Sequence, residues 1–130
     1  MLRIVECYHC SLYSWNAVVN TQRILSGVPI IEDCATALGS YVGNNKKHVG
    51  NIANISVMSF YATKFCSMGY GGLVMTQDKQ LDERITNYRE FDCVEEYEPR
   101  LNFQVSDLNS ALGRSQLRKA NLYHCLFILH

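Results

Sequence analysis

One lysine in a glycine-rich stretch has the strongest potential for covalent chemistry in this sequence. Lys64 lies between two short apolar runs rich in β-forming residues, 55–60 and 73–76, and three glycines follow it before the second run. Two buried strands joined by such a loop place a lysine amine at the edge of a core, where burial disfavours the ammonium form. A neutral amine is the nucleophile that Schiff-base chemistry requires, and glycine permits close approach of the backbone to a ligand. The alternative is a surface hairpin whose lysine is solvated.

A carboxylate is the second candidate, because it ends an apolar run that follows a helical pattern. Apolar residues recur near the helical period over residues 11–26, and residues 28–31 then form a continuous apolar run that leads to Asp33. Such alternation is typical of an α/β fold with a mostly parallel sheet, in which ligands collect at the carboxyl ends of the strands. We therefore expect Asp33 at that edge, with the Lys64 amine within a short reach of its carboxylate.

The remaining patterns predict further elements of a single domain. A weak β-forming run at residues 2–8 indicates a strand, and a turn signal at residues 43–46 indicates a loop or a hairpin out to residue 54. Asp78 and Ser106 are candidate N-caps of helices that end near residues 90 and 122. The chain contains no repeats, low-complexity tracts or linkers, so we expect residues 1–130 to form one domain.

Composition excludes several classes of protein. Twelve basic and twelve acidic residues cancel, so no overall charge favours nucleic acid or an anionic membrane as a partner. No apolar run approaches the roughly 20 residues of a membrane span, and no secretory signal is recognisable, which predicts a soluble, cytoplasmic chain. Cys7 and Cys10 form a CxxC pair without the second pair that a structural zinc site needs, so no metal site is predicted.

Four motifs, in order and at compatible spacing, resemble one known family. They are IIEDCATALGS at 30–40, SFYATK at 59–64, GYGGLVMT at 69–76 and LNFQVSDLNSALGRSQL at 101–117. Together they resemble the nucleotide-sugar aminotransferases of the DegT/StrS group, which are fold-type-I enzymes that use pyridoxal 5′-phosphate (PLP). The resemblance covers about residues 27–123 and leaves the flanks 1–16 and 124–130 unmatched. It implies part of a large domain whose mostly parallel sheet is flanked by helices.

The resemblance implies a role for each of five residues. Lys64 would bind PLP covalently and move protons at the substrate carbon, and Asp33 would keep the pyridine nitrogen protonated. Thr36 stands where glutamine or histidine usually contacts the cofactor ring, and Ser59 matches a phosphate-binding hydroxyl. Asn102 matches an asparagine that reaches the phosphate of the neighbouring subunit's cofactor, which implies a homodimer. Each of three of these residues also has a simpler interpretation that needs no cofactor. Asp33 would be an ordinary polar residue at a strand end, Ser59 a serine hydrogen-bonded to nearby backbone, and Asn102 a turn residue.

Two functions remain open from the sequence. The first is transfer of an amino group from an amino acid such as glutamate to a keto-sugar nucleotide; Lys64 argues against the dehydrating relatives, which replace that lysine. The second is a truncated, non-catalytic remnant or cofactor-binding module, since the family's upstream phosphate-binding segment and carboxyl-terminal domain are not recognisable here. Two departures from the family pattern are Tyr70, where glutamate is common, and Gln104, where arginine is common.

Overall fold

A four-stranded sheet with two helices forms the part of the chain that the computed structural model describes, namely residues 3–6, 29–42, 47–90, 92, 95 and 98–128. In chain order the elements are β1 (Arg3–Glu6), β2 (Ile30–Asp33), β3 (Tyr41–Val42), β4 (Lys47–His48), β5 (Ile55–Ser59), β6 (Gly72–Met75), α1 (Lys79–Arg89) and α2 (Asp107–Ile128). The helix predicted over residues 11–26, the CxxC cysteines and the turn at 43–46 lie outside the described residues. Of the two alternatives predicted around that turn, a loop or a hairpin, the antiparallel pairing of β3 with β4 shows a hairpin.

The sheet order is β1-β2-β5-β6, with β1, β2 and β5 parallel and β6 antiparallel to β5. This confirms the predicted α/β fold with a mostly parallel sheet. The register places Glu32 beside Ser56 and Asp33 beside Val57. Because side chains alternate along a strand, Glu32 and Ser56 share one face of the sheet, whereas Asp33, Val57 and Ser59 share the other.

Among the described residues, two apolar clusters form the core, and Met58 packs against both. Their buried members are Cys34, Ala37 and Val49 in one cluster and Phe60, Cys66 and Met68 in the other. Met58 has the same strand parity as Ser56, so these clusters contact the face of the sheet that carries Glu32. Cys34 and Cys66 are both buried, as small thiol side chains often are.

The second strand of the glycine-rich stretch is not buried. Leu73 and Val74 of β6 are 44% and 47% exposed, so the expectation of two buried strands is wrong for this one. The physical reason is position: β6 lies at the edge of the sheet, and β5 is its only paired strand among the described residues. An apolar run in a sequence does not distinguish an edge strand from a central one.

Both predicted helix starts are confirmed by capping hydrogen bonds. The Asp78 carboxylate accepts the N–H groups of Gln80 and Leu81 at 2.8 and 3.3 Å, and Ser106 Oγ accepts the N–H of Asn109 at 3.3 Å. Helix α2 runs to Ile128, six residues beyond the predicted end near residue 122, since no glycine or proline follows to stop it. Of the helices that the structure describes, none has the length and apolar character needed to cross a bilayer.

Candidate active site

Asp33 lies at the carboxyl end of β2 and is half-buried. Its Oδ1 accepts the N–H of Ala35 at 2.9 Å, a local turn that fixes the direction of the carboxylate. No other described residue bonds to this carboxylate, so Oδ2 retains its capacity to accept a hydrogen bond from a ligand. This arrangement confirms that Asp33 ends a strand of the parallel sheet.

Ser59 ends β5, the neighbouring parallel strand, on the same face of the sheet as Asp33. It lies two residues, about 6.6 Å along the strand, beyond Val57, which pairs with Asp33. Its Oγ accepts the N–H of Tyr61 at 3.3 Å. The hydroxyl is thus satisfied by nearby backbone as an acceptor, and its proton remains available for donation to an anion.

Lys64 lies in the loop that joins β5 to β6, residues 60–71, which we call the lysine loop. Its N–H donates to the carbonyl of Tyr61 at 2.9 Å, which makes a turn five residues after β5 ends. The side chain is half-buried and forms no ion pair with any described residue. As expected, the loop leaves the sheet at the carboxyl ends of the parallel strands, where Asp33 ends β2. The short distance between the Lys64 amine and the Asp33 carboxylate stays a prediction.

Phe60 closes the base of the lysine loop. Its N–H donates to the carbonyl of Gly71 at 3.0 Å, and its own carbonyl accepts the N–H of Met68 at 2.9 Å. Gly71 has a φ of +145°, a conformation that favours glycine, and a Cβ there would also displace the Met68 side chain, whose Cε would lie 2.8 Å away. The base is therefore anchored in the core while the segment around Lys64 faces outward.

Glu32 is a buried carboxylate that the sequence reasoning missed. It is 2% exposed, and among the described residues it accepts hydrogen bonds from the N–H of Gly50 at 2.9 Å, the N–H of Ile52 at 3.3 Å and Ser56 Oγ at 3.1 Å. These bonds tie the turn after β4 to β2 and β5, beside the strand end that carries Asp33. The alternation of side chains along a strand could have indicated this burial, because Glu32 lies on the same face of β2 as the buried Ile30.

Two predicted residues have no described contact with this edge of the sheet. Thr36 is exposed in the turn after β2, and Asn102 is exposed in the segment before α2. The backbone around Asn102 is held by a bond from the Leu101 N–H to the Tyr88 carbonyl at 2.7 Å. Neither side chain is hydrogen-bonded to Asp33 in the described part of the chain, so their roles at the cofactor stay predictions.

A model of the DegT/DnrJ/EryC1/StrS aminotransferase family matches residues 9–124. The chain belongs to this family. The match confirms the resemblance indicated by the four motifs. It begins at residue 9, upstream of residue 27, the first residue that the resemblance covers. Because most of the chain is covered, the lysine loop and both neighbouring parallel strands fall within the family domain.

Curated relatives of this DegT/DnrJ/EryC1/StrS chain are named as sugar-nucleotide enzymes. It is 37% identical over 97 residues, 69% of its length, to a UDP-4-amino-4,6-dideoxy-N-acetyl-β-L-altrosamine transaminase of Helicobacter pylori. It is 35% identical over 98 residues, 71% of its length, to a GDP-perosamine synthase of Escherichia coli O157:H7. The chain spans about a quarter of these two relatives, 25% and 26% respectively.

Two solved structures share the fold of this DegT/DnrJ/EryC1/StrS chain. Helicobacter pylori PseC, an aminotransferase of pseudoaminic acid biosynthesis, superposes with a TM-score of 0.69 at 34% identity over 80% of this chain and 29% of that one. DesI in the presence of its TDP-sugar product superposes with a TM-score of 0.65 at 28% identity, over 78% and 26%. These similarities confirm the predicted fold, that of part of a fold-type-I aminotransferase large domain.

Proposed function

We propose that this chain forms the cofactor-binding part of a PLP-dependent aminotransferase that acts on nucleotide sugars. The observation that carries the proposal is the meeting of Asp33, Ser59 and the lysine loop at one edge of the parallel sheet. Ligands of open α/β sheets bind at such carboxyl edges. When bound, PLP supplies an electron sink for the substrate carbon, and the protein supplies its position and its charge partners.

The hydrogen-bonding and charged groups of Asp33, Ser59 and Lys64 that have no described partner fit the chemical groups of PLP. Asp33 Oδ2 has no described partner and would hold the proton on the pyridine nitrogen. Ser59 retains a hydroxyl proton, which would be donated to the phosphate. Lys64 has no described ion-pair partner, and its amine would hold the aldehyde carbon and later carry a proton at the substrate carbon. In this proposal Thr36 contacts the ring.

The names of the two curated relatives support a proposal for the substrates. These name UDP-linked and GDP-linked sugars, so we infer a keto-sugar nucleotide as acceptor and an amino acid such as glutamate as donor. We further infer a homodimer, in which Asn102 reaches the cofactor phosphate of the partner subunit; its exposure before α2 is compatible with that role. The cytoplasmic location expected from the sequence belongs to the same proposal.

Borohydride trapping tests the assignment of Lys64. The chain is incubated with PLP, reduced, digested and analysed by mass spectrometry, and we expect the cofactor mass on the peptide that contains Lys64. Lys64→Ala should abolish the modification, whereas the exposed Lys47, replaced in Lys47→Ala, serves as the matched control and should leave it unchanged. Modification that persists in Lys64→Ala and maps to Lys47 contradicts the proposal.

A second candidate, for the 130-residue chain taken by itself, is cofactor binding without turnover, because these residues span about a quarter of the relatives they match. Transamination needs cofactor and substrate to be held within a fraction of an ångström. An amino-transfer assay with glutamate and a panel of keto-sugar nucleotides separates the two candidates. We expect PLP binding with no appreciable turnover from the 130-residue chain alone, and robust turnover would exclude this second candidate.

Self-association of the same chain is checked on a sizing column. Leu108 of α2 is 83% exposed and Phe103 is 69% exposed, and β6 lies at an edge of the described sheet. Exposed apolar side chains and open strand edges both favour pairing with another chain. We expect a species larger than a monomer, and a monodisperse monomer would contradict the inferred dimer.

A further inference from the structure

Helix α2 contacts the lysine loop through a hydrogen bond that spans 41 positions of the sequence. Asn109 Nδ2 donates to the carbonyl of Met68 at 2.6 Å, and both residues are at least partly buried. One turn further along the same helix, Gly113 is buried against Met68: a Cβ at Gly113 would lie 3.1 Å from Met68 Sδ. Residues four apart share a helix face, so Met68 is held on α2 by one polar and one apolar contact.

The cap of α2 orients the Asn109 amide toward the loop. Ser106 Oγ bonds to Asn109 Oδ1 and also accepts the Asn109 N–H at 3.3 Å. Because the hydroxyl supplies the donor for Oδ1, the amide nitrogen Nδ2 is the end that faces the Met68 carbonyl. The Ser106 hydroxyl thus both caps the helix and orients the Asn109 amide that contacts the loop.

Met68 is also one of the two attachment points of the loop base. Its N–H donates to the Phe60 carbonyl at 2.9 Å, and its carbonyl accepts from Asn109. Lys64 lies four residues before Met68 and forms its own turn with the Tyr61 carbonyl. The segment that carries Lys64 therefore follows directly on β5 at its start, and at its end it is attached to Phe60 and to α2.

We propose that Asn109 is a positioning residue for Lys64. Through its bond to the Met68 carbonyl it holds the lysine loop in the conformation that presents Lys64 at the carboxyl edge of the sheet. The proposal rests on the function inferred above insofar as PLP is the ligand that Lys64 meets there. Asn109 itself touches neither the cofactor nor the substrate in this scheme; it acts only through the loop.

Asn109→Asp is the direct test, because it keeps the size and the acceptor for Ser106 Oγ but replaces the donor with an oxygen that repels the Met68 carbonyl. Hydrogen exchange of the cofactor-free chain reads the loop without any reference to PLP. We expect the Lys64 and Met68 amides to exchange about tenfold faster, and PLP affinity measured by visible absorbance to fall about tenfold, the effect of one partly buried hydrogen bond. Gln116→Glu introduces the same charge change on α2 and should leave both readouts at the wild-type level.

Gly113→Ala separates positioning from helix stability. Alanine strengthens α2 through its helix propensity, while its Cβ crowds Met68 Sδ at 3.1 Å. We expect slower exchange within α2 together with faster exchange in the lysine loop and weaker PLP binding. This variant also keeps the test decisive if Asn109→Asp fails to fold.

The outcomes distinguish this inference from the proposed function. Unchanged loop exchange in both variants, or a uniform acceleration across α2 and the loop, would overturn the positioning role. If the variants show faster loop exchange but the wild-type chain itself binds no PLP, the loop contact is supported and PLP is removed as the ligand. That result is a failure of the proposed function alone. Faster loop exchange with unchanged PLP affinity would overturn the claim that this contact positions Lys64.

Discussion

Glu32 and Ser56 meet side by side on the buried face of the sheet, where Ser56 Oγ donates to Glu32 Oε2 at 3.1 Å. The two residues are register partners in the parallel strands β2 and β5. A slip of one residue would move every side chain of a strand to the opposite face. This buried polar pair therefore favours the register that leaves Asp33 and Ser59 together on the other face.

Glu32→Gln should destabilise the chain by about 1–3 kcal/mol. A carboxylate only accepts hydrogen bonds, and three donors point at Glu32. Glutamine substitutes a donor for one of the two acceptor oxygens, so at least one buried donor loses its partner. The free energy of unfolding in urea measures the effect. Glu83→Gln, on the exposed surface of α1, is the control; equal stability of both variants would show that the Glu32 network contributes nothing.

Asp33→Asn and Ser59→Ala should each weaken PLP binding about tenfold, which corresponds to one charge-assisted hydrogen bond. Asparagine keeps the oxygen that accepts the Ala35 N–H, so the turn survives while the negative charge is lost. Some binding should remain in both variants, because Lys64 is intact. Titration of the visible PLP absorbance gives the affinities, with the exposed Asp82→Asn as control. Wild-type affinity in both site variants would remove these two residues from the site.

Gly50→Ala should cost about 1–3 kcal/mol of stability, the range for a non-glycine residue in a left-handed conformation. Gly50 has a φ of +89°, and a Cβ there would lie 2.7 Å from Met75 Cε. Its N–H also donates to Glu32, so the strain would be transmitted to that network. Unfolding in urea is the measurement, with the neighbouring exposed Asn51→Ala as control. An unchanged unfolding midpoint would contradict the argument.

The Cys66 thiol should make stability depend on alkaline pH. Burial raises the pKa of Cys66 above its ordinary value of 9.0, so the folded chain retains a proton that the unfolded chain releases. The contribution of the buried Cys66 thiol to the free energy of unfolding is fully present below about pH 9.0. It is lost as the pH rises through the folded-state pKa. We therefore expect the stability difference between wild type and Cys66→Ala to shrink as the pH rises from about 8 to about 11. This range lies on both sides of the ordinary thiol pKa.

The matched experiment for this prediction compares unfolding of the two chains at each pH, so that the titration of all other groups cancels. Alkylation of the native chain at neutral pH offers a second readout, because the reactive species is the thiolate. Cys66, 1% exposed, should be labelled only after unfolding. A stability difference that stays constant across the alkaline range would contradict the raised pKa.

Local chemistry in the sequence determined much of this protein. Asp78 and Ser106 could be identified as helix caps because a cap needs only its own side chain and the next turn of backbone. The lysine loop could be placed between two strands because β-forming runs bracket it. The residue types in four ordered motifs indicated the family, which the match over residues 9–124 confirmed.

Tertiary structure alone decided how those parts face one another. Of two adjacent acids, Glu32 became a buried structural acceptor and Asp33 a half-buried candidate ligand, because the pairing of β2 with β5 gave them opposite faces. The exposure of β6 followed from its place at the sheet edge. The bond between Asn109 and Met68 joins residues 41 positions apart. Periodicity in a sequence specifies which residues share a face of one element, but the partner of that face is set by packing between distant segments.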